Sequence, residues 1–279
     1  MSKEKGFPES LKRMPPVRFV PLREINWREE YYLSRFIDEL LKSSNITRIK
    51  EWRVKKLWLY NKDLRHIFHD IALIVSRINE DGSKFNRREE LFHVAHSRRL
   101  TASESEELEN LDHTVDYFLL DVRSLLVFIM VFMGKLAIFL GQLITENGEQ
   151  MKHYSFHGFR RKLMELKGDE IQKFAQFIAD NTGWFEDVKK WRDKFVIHDP
   201  GAGGAIVFKD GRAYAALTRR EGGEGEPKYI IMDSRAKDIP VDRIDGILYK
   251  LKEFLKVLDE YLCSHINILP LEGKQQKTL

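Results

Sequence analysis

The sequence predicts a mainly α fold: a helical bundle with a small antiparallel β-sheet inserted before its last helix. Three observations carry this. Apolar residues recur every three or four positions through most of residues 27–195, the period of helices with one buried face. Between Ala205 and Met232 the pattern shortens to that of strands around Asp210-Gly211, a dipeptide that tolerates the positive φ values of a two-residue hairpin turn. A helical pattern resumes at Val241. Hydrophobic residues make up 43 % of the 279 and charged residues 32 %, a balance that excludes wholesale disorder.

Residues 1–26 read as an extended arm, because Pro8, Pro15, Pro16 and Pro21 block a continuous helix. Asn26 with Glu29 three residues later has the form of a capping box, and it predicts a helix from Trp27 to Lys42 with Leu33, Phe36, Ile37, Leu40 and Leu41 on one side. A second helix is expected from Glu51 to Asn79, ended by a turn at Asp81-Gly82, and a shorter arginine-rich one from Asn86 to Leu100. The longest pattern, Glu104 to Ile144, has Ser103 or Ser105 as its expected cap. It turns apolar around most of its circumference from Leu125 to Leu140 and should be the central helix. Its uncharged middle, Ser124 to Gly134, is shorter than the ~20 residues that cross hydrocarbon, so burial rather than membrane insertion is expected.

Glu149 to Glu170 carries mixed signals interrupted by Gly158 and Gly168. Asp169 is placed to cap a helix from Glu170 to Asp180, stopped by Asn181, Thr182 and Gly183. Three strands are expected at Ala205–Lys209, Arg212–Thr218 and Lys228–Met232, and a final helix at Val241–His265 with Ile244, Ile247, Leu248, Leu251, Leu255, Leu258 and Leu262 inward. The organisation is thus an arm over 1–26, one helical domain over 27–265 with its β insertion at 203–233, and a polar tail over 266–279.

Several chemistries are excluded or weakened. The 47 basic and 43 acidic side chains leave a formal charge of +4, too small by itself to imply a polyanion partner. A single cysteine, Cys263, rules out an intrachain disulfide and a multi-cysteine metal site, and reads as an inert core thiol in a reducing compartment. His66 with His69 and Asp70, His93 with His96, and His153 with His157 are incomplete metal sets, and none forms HExxH. Gly201 to Gly204 lack the lysine and the strand-to-helix setting of a phosphate loop. No cofactor and no metal are expected.

The stretch that suggests a function is WFEDVKKWRDKFVIHDP, Trp184 to Pro200. Trp184, Val188, Trp191 and Phe195 recur at helical spacing, charge concentrates around Arg192, Asp193 and Lys194, and Asp199-Pro200 ends the helix. Arg192 is a permanently charged planar fork suited to phosphoryl oxygens, and His198 is the side-chain type that exchanges protons near neutral pH. Asp193 has the reach to orient either of them. Arg192, Asp193 and His198, with DKFVI between arginine and histidine, resemble the HEPN superfamily of small helical bundles.

That resemblance implies a metal-independent endoribonuclease in which two copies of the motif meet at a homodimer interface. It also implies toxin or defence activity, with RNA as substrate and a cognate antitoxin protein as a partner. A cytoplasmic location without membrane association is expected separately, from an N-terminus that lacks the long apolar stretch of a secretory signal and from the short uncharged middle of the apolar helix. Lys194, Arg160 and Arg161 are candidate RNA contacts. Six helical positions separate Arg192 and His198 by about 120° and roughly 9 Å, so a second chain would help close the site. The competing reading keeps the same residues structural, with Arg192 paired to Glu186, Asp187 or Asp199. The protein is then a noncatalytic helical interaction protein or an RNA-binding module.

Overall fold

The described core is built from α-helices and the residues that flank them. The computed structural model describes residues 21–42, 51–111, 113–145, 155–193, 239–266 and 269, and strand backbone at 203–209, 212–220 and 229–230. Among these, α1 (Trp27–Glu30), α2 (Leu33–Lys42), α3 (Glu51–Ser97), α4 (Ala102–Asn110), α5 (Thr114–Ile144), α6 (Phe156–Glu165), α7 (Asp169–Asn181), α8 (Phe185–Arg192) and α9 (Val241–Ser264) follow in order.

The expected fold class is corrected accordingly: the structure is mainly α-helical, and its described core contains no inserted sheet. What lies between α8 and α9 is backbone pairing. The strand β2 (Arg212–Arg220) is antiparallel to β1 (Gly203–Lys209), β3 (Tyr229–Ile230) and β4 (Ile239–Pro240). A period of two specifies which backbones pair and carries no information about what a sheet packs on, which is why the sequence pattern overreached. The chain divides into two compact units, the first taking in residues 76–122 and 198–244, the second 23–75, 123–197 and 245–279.

In the first unit α3 runs straight through Asp81-Gly82, where a turn was expected. Lys84 Nζ reaches Glu80 at 2.7 Å and Asp81 at 3.3 Å, and the Ser83 hydroxyl donates to the Asn79 carbonyl, so the local polar groups serve the helix rather than a turn. Ile78 and Leu91 are buried on either side of the glycine and hold the segment down. Asn79 also clamps Leu22: its Oδ1 accepts the Leu22 N–H at 2.6 Å and its Nδ2 donates to the Leu22 carbonyl at 2.8 Å.

The expected single helix from Glu104 to Ile144 is two, because Thr101 rather than Ser103 or Ser105 caps the first. Thr101 Oγ1 accepts from Glu104 N while the Glu104 carboxylate accepts from Thr101 N, a complete capping box. Arg98 adds two contacts to Glu104, at 2.8 and 2.6 Å. The Arg98 guanidinium, then the Thr101 N–H, hold the Glu104 carboxyl down at about 2. A depressed carboxylate contributes stability that is complete above its unfolded value near 4.5 and is lost as pH falls through its folded value. Acidification from pH 4.5 to 2 should therefore open the start of α4, read as faster amide exchange at Glu104. In Glu104→Gln the same amide should show no acid-induced opening in that window.

In the second unit the expected helix Trp27–Lys42 is interrupted at Tyr31, and Asn26 makes no side-chain cap. Tyr31 is drawn inward, 3 % exposed, and its hydroxyl donates to Asn61 Oδ1 at 2.8 Å. The restart of the helix is capped from a distance. Asp259 on α9 accepts the Phe36 N–H at 3.0 Å and pairs with Arg35 at 3.2 Å. The Cys263 thiol lies 4.0 Å from the same carboxylate and is pushed up to about 11, chiefly by burial.

The second-unit part of α5 is the core expected of a central helix: Phe132, Met133, Leu136, Ala137, Phe139 and Leu140 are all buried. Phe132 packs on Phe68 and Phe139 edge-on against Phe36. By length and composition α5 could cross a membrane, and 61 % of its apolar window is buried inside this structure. Its C-terminal end is closed by Arg53 of α3, 5 % exposed, whose guanidinium donates to the Thr145 carbonyl. Gly168, at φ 126°, precedes α7, so Asp169 is the first residue of that helix instead of its cap. On α9 the expected face from Ile244 to Leu262 is buried.

Candidate functional site

The site is assembled from the cationic end of α8, the wall of α5 and the start of α6, all in the second unit. Trp184, Phe185 and Val188 form the buried side of α8, with Phe185 edge-on to Phe156 at 5.3 Å and the Trp184 indole N–H donating to the Asn181 carbonyl at 3.0 Å. Phe185 had no place in the expected stripe, which ran through Trp191. That residue is only half-buried, so the helix is rotated toward Phe185. With the apolar side anchored, Lys189 and Arg192, one helical turn apart, reach a common cavity.

That cavity has a volume of about 620 Å³, within the range of small-molecule sites. Val127, Met130, Val131 and Ile138 of α5 with Phe156 and Phe185 give it apolar walls, while Lys135, His157, Lys189 and Arg192 line it with positive or protonatable groups. Clustered cations against a low-dielectric wall attract anions more strongly than the same cations spread over an open surface.

Arg192 is half-buried. Its Nη2 lies 2.5 Å from Asp193 Oδ1, so the acidic neighbour orients the guanidinium. Its Nε is buried and has no acceptor among the described residues, a donor left over after Asp193 is served. His157 Nδ1 lies 3.5 Å from Glu186 Oε1, and Arg160 Nη1 donates to the same oxygen at 3.0 Å. Arg160 and Arg161 line a second cavity of about 250 Å³ that shares His157 with the first. Glu186 thus ties Arg160 and His157 of α6 to the motif helix, rather than pairing with Arg192 as the structural reading expected.

The structure therefore brings Arg192 and Asp193 together at one cavity and places Arg160 and Arg161 at its neighbour. His198 and Lys194 lie outside the described residues, so the Arg192 to His198 distance is not part of this geometry. Lys135, Lys189 and His157 were missed as members of the site. Lys189 stands one turn before Arg192 and was legible in principle; Lys135 and His157 arrive from other helices. Among the described residues no group of three or more metal-ligating side chains occurs. His69 instead packs its ring 4.6 Å from Trp27. No family model, curated protein or solved structure matches the chain.

Proposed function

We propose that this protein is a HEPN-like endoribonuclease that cuts RNA by attack of a 2′-hydroxyl and needs no metal for the step. The observation that supports it is Arg192: a guanidinium oriented by Asp193, with one buried donor to spare among the described residues, in the wall of a cationic cavity. In the reaction the 2′-oxygen forms a bond to phosphorus and loses its proton to His198. The bond from phosphorus to the 5′-oxygen breaks, and that oxygen takes a proton from the imidazolium of His198 or of its copy in the second protomer, which leaves a 2′,3′-cyclic phosphate. Arg192 stabilises the charge gathering on the non-bridging oxygens, a term that weighs most where water is displaced by apolar walls. Lys135 and Lys189 add to the same field.

The active form is a homodimer in which a second copy brings its motif helix to the cavity, and the biological setting is toxin or defence activity restrained by an antitoxin. The competing reading, a noncatalytic interaction or RNA-binding module, draws on the same Asp193 contact, since it leaves the Arg192 fork partly occupied. Incubating structured and single-stranded RNA with the protein in excess chelator separates them. Cleavage leaving 2′,3′-cyclic phosphate ends is the expected result. Intact RNA under all conditions removes the catalytic reading, and retained RNA affinity without cleavage establishes the binding module.

A further inference from the structure

The outer face of α3 carries aromatic and cationic side chains in alternation. Trp58 and Leu59 are about half exposed, at 51 % and 53 %, which is unusual for side chains of this size on a helix whose inner face is well packed. Lys62 stands over the Trp58 ring at 5.9 Å from its centroid. One turn further, Arg65 stands over Trp27 of α1 at 5.4 Å. Lys62 and Arg65 are both exposed, and each keeps a cation beside the face of an indole.

The order of these groups around the helix selects the partner. At about 100° per residue, with Trp58 at zero, Lys62 falls near 40°, Lys55 near 60° and Leu59 near 100°. Lys62 and Lys55 lie between the apolar side chains, and Arg65, near −20°, flanks Trp58 on its other side. A helix that lies on a membrane segregates them, with apolar groups on one face and lysines on the other. Interleaving suits single-stranded nucleic acid, where bases stack on aromatic faces while the backbone between them follows the cations. The stripe also leads to the cavity: Asp63, next to Lys62, pairs at 3.4 Å with Lys135, a lining residue.

We infer that the face formed by Trp58, Lys62 and Arg65 of α3 with Trp27 of α1 is a docking track for single-stranded RNA beside the Arg192 cavity. The choice of RNA over DNA rests on the proposed ribonuclease function; the track itself does not. The probe is a fluorescein-labelled 12-nucleotide RNA methylated at every 2′-oxygen, which removes the attacking hydroxyl and separates binding from cleavage. Fluorescence anisotropy of the full chain should show binding that Trp58→Ala weakens about 10-fold through lost stacking. The pair Lys62→Gln with Arg65→Gln should weaken it as much and reduce the salt slope by about 1.4, about 0.7 for each cation.

Lys62→Glu, on the surface, is the second variant should Trp58→Ala lose its far-UV circular dichroism. Unchanged affinity in the folded variants overturns the track, as does absence of binding by the wild type. Anionic phosphatidylserine vesicles form the second arm: binding to them that the same substitutions abolish, with RNA affinity untouched, overturns the choice of partner. Track-dependent binding by a protein that cuts no RNA keeps this inference and removes the ribonuclease; cleavage with no dependence on the track does the reverse.

Discussion

Mixing two inactive variants, Arg192→Ala and His198→Ala, should restore cleavage to about one quarter of the wild-type rate. Each substitution alone is expected to reduce the rate by at least 100-fold, the usual scale for removing a charge stabiliser or a proton-transfer group. If Arg192 of one protomer works with His198 of the other, a heterodimer of the two variants has one site with both residues and one with neither. Random exchange makes half the dimers mixed, and half the sites in those are intact, which gives the quarter. A site complete within one chain gives no restoration, because each chain then lacks one residue. The measurement is cyclic-phosphate formation before and after subunit exchange, with each variant first shown to keep the wild-type helical signal. Restoration to the quarter supports composite assembly; two dead variants that stay dead together limit the site to one chain, and two active variants remove the mechanism.

Arg53→Ala should destabilise the second unit by about 3 kcal/mol, by leaving the buried end of α5 open. Thr145 is 0 % exposed and its carbonyl receives the Arg53 guanidinium, so truncation strands an acceptor that water cannot reach without repacking. The stem of Arg53 is also packed, and its loss adds a cavity term. Arg53→Met separates the two contributions. It keeps most of the stem and removes the donor, and about 1–2 kcal/mol should remain lost. Urea denaturation followed at a probe in the second unit measures both; equal stability of wild type and Arg53→Ala would show that the end of α5 is satisfied in another way.

How much of this was legible in the sequence depended on the range of the interaction. The inward faces of α2, α7 and α9 were readable because a helix period reports its own buried side, and Phe36, Phe174 and Leu255 are all buried as that period requires. Interruptions were not. Asp81-Gly82 looks like a turn in isolation, but the packed residues on both sides and the Lys84 pairs carry the helix through it. Tyr31 breaks a good helical pattern because Asn61, thirty positions away, takes its hydroxyl. Asp259 caps α2 across 223 positions of chain, and no local motif announces it.

The site divides in the same way. Arg192 and Asp193 were readable as charge at the end of an amphipathic helix. The apolar wall from Val127 to Ile138 and Lys135 on the same helix were not, since they join Arg192 only where α5 meets α8. The period that correctly marked α5 as a buried helix also hid its second use, because a residue such as Val131, 44 % exposed, has the same apolar signature as one that is sealed.

Cys263 gives the protein a built-in selectivity for chemical labelling. With its thiol pushed up to about 11, almost none is thiolate at neutral pH, whereas an ordinary surface cysteine ionises near 8.5 and has roughly 300 times as much of the reactive form. A cysteine placed at an exposed position such as Lys190 would therefore take a maleimide spin label well ahead of the native one. Pulsed resonance distances between two such labels would then report how two motif helices approach each other, in a protein that keeps its natural sequence everywhere else.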